Sequence, residues 1–289
     1  MDALIPWGLE IIRAFQSMGN STVDAFFKAV TFLGDEKFYL LVLPLLYWSI
    51  NKGIGVRLGF LYLYSSYIST VLKNVFAIAR PSPSVVEVKV EAEGYAFPSG
   101  HAQTTATVWG YLATQFRRRW FWLVTALAIV LVGLSRIYLG VHYPQDVIGG
   151  IAIAILLIVA YNWGVQAYSA RIAAWPLIAK LTLVTVLPIL LFILRPEKDS
   201  AAAMGAGWGL GIGIVLDAEY LRFRSDGAVG KRVIRFLAGM VVTLLIYFGL
   251  SAVLGSALYL RALRYGLIGL WVSFGAPWFF IRLGLANTL

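Results

Sequence analysis

The chain has only two histidines, and each sits among residues that could act on a phosphate. His101 follows Pro98-Ser99-Gly100, directly before an apolar helical stretch. His142 lies in Ser135-Arg136-Ile137-Tyr138-Leu139-Gly140-Val141-His142-Tyr143-Pro144-Gln145-Asp146, and upstream stands Lys73-Asn74-Val75-Phe76-Ala77-Ile78-Ala79-Arg80-Pro81. Phosphoryl transfer spreads negative charge over equatorial oxygens, so a site for it needs fixed positive groups. Lys73, Arg80 and Arg136 supply three. The arginines can each grip phosphate bidentately, whereas Lys73 acts as a point charge. Ser99 is placed as a helix N-cap, so the Gly100 and His101 amides would point out of a helix N-terminus, where backbone geometry favours an anion. Gly100 has no side chain and lets that anion approach closely.

His142 and Asp146 are four residues apart. Pro144 suits a first helical turn, so the spacing predicts a helix starting near Tyr143 with Asp146 in its first turn, where the helix dipole favours the carboxylate. From there Asp146 can accept a hydrogen bond from one imidazole nitrogen, which fixes the tautomer and makes the other nitrogen the better nucleophile. His101 remains as the acid for the departing alkoxide or phosphate. Singly these signals are weak: a membrane-embedded histidine is most often a packing residue, and Arg136 alone could be an interfacial anchor. All three pieces fall in order, at span ends and on one expected side of a membrane. A charge placed there is costly and usually marks function. With two histidines, no cysteine and no carboxylate cluster near the motifs, the chain offers too few ligands for a catalytic metal, and no cofactor is expected.

The elements that hold these residues must be membrane helices. Of 289 residues 60% are hydrophobic and 13% charged, against about a quarter charged in ordinary globular domains. A helical span takes about 20 mostly apolar residues. Leu58–Ala77, Trp120–Tyr138, Val147–Gly164, Pro176–Leu194, Val233–Leu254 and Leu263–Ile281 meet that length, and Tyr39–Ile50, His101–Phe116 and Ala201–Tyr220 are shorter or less apolar candidates. About nine spans are thus expected after residue 35, giving an all-α polytopic transmembrane bundle. Residues 1–35 predict an interfacial or re-entrant amphipathic segment, 36–166 a catalytic membrane core and 167–289 additional spans of unassigned role.

The net charge of +10 does not indicate nucleic acid, because the basic residues fall in clusters between apolar spans. Alternating the spans puts Lys52/Arg57, Arg117-Arg118-Arg119, Arg171 and Arg222, Arg224, Lys231, Arg232 on one side. The positive-inside rule makes that side cytoplasmic, so the motif segments open to the extracytoplasmic face. The glycine-rich run Gly205–Gly213 lacks the Lys-Ser/Thr of a phosphate-binding loop. Gly205, Gly209 and Gly213 fall four apart instead and predict a smooth helix face for close packing, which could also serve a homodimer.

The pattern Lys-x6-Arg-Pro, Pro-Ser-Gly-His, Ser-Arg-x5-His-x3-Asp resembles the type 2 phosphatidic acid phosphatase (PAP2) superfamily at every defining position over Leu58 to about Gly164. The resemblance implies metal-independent hydrolysis through a phosphohistidine, with His142 as nucleophile, Asp146 its orienting partner and His101 acid then base. Lys73, Arg80, Ser99, Gly100 and Arg136 would hold the phosphate. Gly34-Asp35-Glu36-Lys37-Phe38-Tyr39, Leu43-Pro44, Trp48 and Arg80-Pro81-Ser82-Pro83-Ser84-Val85-Val86 look like sphingosine-1-phosphate phosphatases, though Gly100 stands where those carry Thr. The expected partners are a lipid phosphate and the bilayer. Two competing readings are a vanadate-dependent haloperoxidase, which the hydrophobicity opposes, and a lipid-phosphate transporter, which the absence of an inverted repeat disfavours.

Overall fold

The computed structural model describes residues 4–288, so residues 1–3 of the expected N-terminal segment lie outside the described residues, as does Leu289. Every described element longer than a single bridge is helical. The chain forms two compact units: Met1–Tyr39 with Ile68–Asn162, and Leu40–Tyr67 with Trp163–Leu289.

The first unit carries every candidate site residue. It begins with α1 (Ile5–Gln16), which has a proline in its first turn, and α2 (Ser21–Thr31), whose Asn20 cap accepts from the Thr22 and Val23 amides at 3.0 Å each. At 12 and 11 residues neither can cross a bilayer. Both pack on α6 (Arg119–Tyr138). The end of α4 (Lys52–Phe76), α5 (Gly100–Phe116) and the first part of α7 (Pro144–Ala173) complete the unit. Ile12, Ala102, Ile137, Tyr143 and Val147 form one buried cluster that joins α1, α5, α6 and α7.

Two close approaches fix the geometry around the site. A Cβ on Gly150 of α7 would lie 2.7 Å from the Ser99 carbonyl oxygen, so only glycine lets α7 press against the start of α5. Gly140 turns the chain from α6 towards α7 at φ +72°, against the Glu87 backbone. The segment between α4 and α5 is held from α1, where Gln16 Nε2 donates to the Glu87 and Tyr138 carbonyls (2.6 and 3.0 Å) and Arg13 Nε to the Val85 carbonyl (3.2 Å).

The second unit holds α3 (Glu36–Leu45) from Leu40 on, extended by a π-helical turn Leu46–Ile50, together with α8 (Leu177–Leu194), α9 (Lys198–Leu216), α10 (Val229–Leu244), α11 (Leu250–Val253), α12 (Leu258–Leu270) and α13 (Ala276–Arg282). Its core gathers Trp48, Phe223, Met240, Val272 and Phe280. The four-residue glycine spacing on α9 works as expected for packing. Cβ atoms added at Gly205 and Gly209 would run into the backbone of Ala262 and Gly266, and one at Gly213 into the Ser273 side chain. That face is therefore filled by α12 and the turn after it. Within this chain the partner of Gly205, Gly209 and Gly213 is thus internal, whereas the expected homodimer concerns a second copy.

Among the described residues five helices are long and apolar enough to cross a membrane: Arg119–Tyr138, Pro144–Ala173, Leu177–Leu194, Lys198–Leu221 and Val229–Val253. The other stretches among the expected nine are shorter or less apolar. The one at α5 is 17 residues long, and the C-terminal one carries Arg261 and Arg264 in α12 and Arg282 in α13. At 25 residues α4 has the length, but Ser65, Ser66, Ser69, Thr70 and Lys73 make it less apolar. Exposed apolar side chains along α7 and α8, among them Ile155, Leu156, Val159, Ile178, Leu190 and Ile193, are suited to lipid.

Candidate active site

Each motif enters the first unit from a different element. Lys73 lies in the last turn of α4, Arg80 in the following segment, Ser99, Gly100 and His101 at the start of α5, and Arg136 in the last turn of α6. His142 sits in the turn before α7, and Asp146 in the first turn of α7. The helix expected near Tyr143 begins at Pro144, and Ser99 occupies the N-cap position as anticipated. Its hydroxyl makes no capping bond, however, and is fully buried with no partner. The Ser99 amide instead donates to the Asp146 carbonyl oxygen at 3.0 Å, tying the start of α5 to the start of α7.

His142 is held from both sides of its ring. Nδ1 stands 3.4 Å from Asp146 Oδ2 without hydrogen-bond alignment, and that same oxygen accepts from the Tyr143 amide at 2.8 Å. Nε2 lies 3.0 Å from Arg80 Nη1. A guanidinium can only donate, so Nε2 must carry the lone pair and Nδ1 the hydrogen. Burial above all, then the charges of Arg80, Arg136 and Lys73, holds this imidazole well below the ordinary histidine range. His142 is therefore neutral, and its contact with Asp146 is that of a dipole with a carboxylate.

The cations are positioned by backbone oxygens. Arg80 donates from Nε to the Gly94 carbonyl (2.9 Å), from Nη2 to Glu93 (2.8 Å) and from Nη1 to Val141 (2.8 Å). Lys73 Nζ donates to the Tyr95 carbonyl at 2.8 Å. Arg136 is 4% exposed, gives Nη1 to Thr31 Oγ1 at 2.8 Å and leaves Nε unpaired. The structure thus joins Arg80, His142 and Asp146 by direct contact, and the charges of Lys73, Arg80 and Arg136 act on both histidines.

Sequence reasoning missed Thr31, which holds Arg136 from the end of α2. In the turn that follows, Asp35 acts on Arg136 electrostatically, and a Cβ on Gly34 would lie 3.0 Å from the Cβ and Cδ2 of His101. Nothing local announces Thr31, because its contact joins positions 105 residues apart.

Residues 54–169 match the model of the PAP2 superfamily, and residues 201–288 match that of the PAP2 superfamily phosphatase transmembrane extension. Sphingosine-1-phosphate phosphatase 2 of Mus musculus is 32% identical over 65% of this chain and 58% of its own length. Lipid phosphate phosphatase delta of Arabidopsis thaliana is 27% identical over 54% of this chain and 43% of its own. The chain therefore spans less than two thirds of either relative. The crystal structure of a transmembrane PAP2-type phosphatidylglycerolphosphate phosphatase from Bacillus subtilis shares the fold, with a TM-score of 0.52 at 21% identity over 58% of this chain and 89% of that one. The first match encloses all three motifs, and the second takes in α9 to α13, so the chain belongs to the PAP2 superfamily.

Proposed function

We propose that this integral membrane protein is a lipid phosphate phosphohydrolase that works through a phosphohistidine. The observation that carries the reading is the two-sided hold on His142, with Asp146 at Nδ1 and Arg80 at Nε2. The lone pair on Nε2 is parked on Arg80 until a phosphate arrives. Arg80 then shifts to a phosphate oxygen, and Nε2 attacks phosphorus as the bond to the lipid oxygen breaks. His101 takes a proton from the incoming phosphate monoester monoanion, gives it to that oxygen, and the lipid alcohol leaves. It next takes a proton from water as the water oxygen attacks phosphorus and the P–N bond breaks. Inorganic phosphate departs carrying that proton, and both histidines are neutral again. Arg136, Lys73 and the amides of Gly100 and His101 offset the charge on the equatorial oxygens.

Lipid is favoured as the substrate because α4, α6 and α7 present the site at the ends of apolar helices, and because the named relatives act on lipid phosphates. A long-chain-base phosphate, a phosphatidic acid-type lipid and a polyprenyl phosphate or diphosphate all meet these requirements. The basic groups Lys52/Arg57 at the start of α4 and Arg117–Arg119 before α6 support an extracytoplasmic site. Labelling of a cysteine placed at Glu91 by an impermeant reagent on intact cells, with none at Arg118, is the expected outcome. Phosphate release by the purified protein should be far faster from long-chain lipid phosphates than from glucose 6-phosphate, and should persist in EDTA. A preference for the soluble sugar phosphate would end the lipid reading, and no release from any ester would end the enzyme reading.

A further inference from the structure

Ser69, one turn before Lys73 near the end of α4, is 4% exposed and its hydroxyl has no hydrogen-bond partner. Helix hydroxyls elsewhere in the chain resolve that problem by donating back along the helix. Thr104 bonds to the Gly100 carbonyl (2.9 Å), Ser135 to Val132 (2.6 Å), Thr243 to Gly239 (2.8 Å) and Ser273 to Gly269 (2.7 Å). Ser69 does not. Leaving a buried hydroxyl unpaired is unfavourable, so a native structure that does so at a site calls for a ligand that pairs with it.

The position of Ser69 says which ligand. Its Oγ lies 3.6 Å from where a Gly100 Cβ would be, and Lys73 Cε lies 4.0 Å from the same point. Ser69 and Lys73 are four apart, so they share one face of α4, and that face looks onto the open N-terminus of α5. The second buried hydroxyl without a partner at this end of α5 is that of Ser99, next to Gly100 in the chain. Gly100 therefore leaves a notch walled by a hydroxyl and a lysine stem and floored by helix amides, all of them suited to oxygens carrying negative charge. We propose that Ser69 is a further substrate-contacting residue, donating its hydroxyl to a non-bridging phosphate oxygen in the notch left by Gly100. This deepens the phosphohydrolase reading and rests on it for the identity of the phosphate. The donor itself is read from burial and geometry.

The full-length purified protein should be compared with Ser69→Ala and Ser69→Thr, using orthovanadate as the anion and a long-chain lipid phosphate as the substrate. Ser69→Ala should weaken vanadate binding and lower kcat/KM by about tenfold each, the range for a hydrogen bond to a charged group, at an unchanged thermal midpoint. Ser69→Thr keeps the hydroxyl and should stay within about threefold of wild type on both. Wild-type vanadate affinity in Ser69→Ala would overturn the proposal, as would an equal loss in Ser69→Thr. Vanadate binding needs no turnover, so the two readings separate. If wild type binds vanadate but hydrolyses no lipid phosphate, the enzyme reading fails, while the Ser69→Ala affinity still decides this one.

Discussion

Arg80 in the unit with both histidines and Arg235 in the other unit solve the same problem with different consequences. Each is a guanidinium in a mostly apolar chain, and each donates to three backbone carbonyls. For Arg80 these are Glu93, Gly94 and Val141; for Arg235 they are Arg224, Ser225 and Asp226. Arg235 is fully buried and lies over the Phe223 ring at 5.7 Å, tying the segment before α10 to that helix. Nearby, Lys52 is likewise used up on Asp217 and the Phe223 carbonyl. The further contact of Arg80 is instead a titratable group, His142 Nε2. A buried cation therefore does not by itself mark chemistry. What marks it is a shared contact with a group that has a lone pair to give and a second anchor behind it.

The sharpest way to break this contrast is to remove one residue from each region. His142→Ala should lower turnover by about 10⁴-fold or more, as loss of a nucleophile does, while the protein folds and inserts. Arg235→Met should leave kcat/KM within about twofold, yet lower stability by on the order of 3 kcal/mol, because three carbonyls lose their donors. Phosphate release and thermal unfolding of both variants in one detergent check the pair. Substantial turnover in His142→Ala, or an inactive but stable Arg235→Met, would erase the distinction.

A smaller effect tests the extra contact of Arg80. Arg80→Gln should lower kcat/KM by about 10²-fold through lost charge stabilisation. It should also move the pH profile. Burial is the main reason His142 stays neutral, and Arg80 is the next. Removing that positive charge raises the imidazole pKa without restoring the ordinary value. Protonated imidazole has no lone pair, so activity is lost as pH falls through this pKa. The acid limb of kcat/KM should therefore shift to higher pH in Arg80→Gln. An acid limb that stays in place would show that Arg80 does not act on the nucleophile.

How much of this was legible in the sequence divides along the same line. Lys73, Arg80, His101, Arg136, His142 and Asp146 could be singled out because a chain of 13% charged residues makes each intramembrane charge conspicuous, and because helical spacing predicts the His142–Asp146 contact. The glycine spacing on α9 predicted a packed face, but periodicity cannot say whether the partner is α12 or a second copy. The number of spans is harder to read, because the arginines of α12 and α13 and the serines, threonine and lysines of α4 dilute stretches that otherwise look apolar. The role of Thr31 is not legible locally, since it carries no charge and no motif and its meaning comes from folding back onto α6.

That last point gives the smallest effect. Thr31 accepts from Arg136 Nη1 at 2.8 Å and comes from a segment outside the matched family region, residues 54–169. It touches no phosphate in the proposed mechanism, so it is a positioning residue. A guanidinium with Nε unpaired and Nη1 fixed to one hydroxyl can be aimed, and losing that hydroxyl frees it to rotate. Thr31→Val keeps the β-branched shape and removes the acceptor. Because Arg136 should matter more as charge develops on the transferring phosphoryl group, the loss should fall on kcat rather than KM, at about tenfold. Thr31→Ser should restore kcat to within about threefold, since only the oxygen is needed. A purely structural role would instead lower the thermal midpoint of Thr31→Val and leave kcat per folded molecule unchanged. If the loss fell on KM alone, Arg136 would be acting in ground-state binding, and the first unit would resemble the second more closely than the contrast of Arg80 and Arg235 implies.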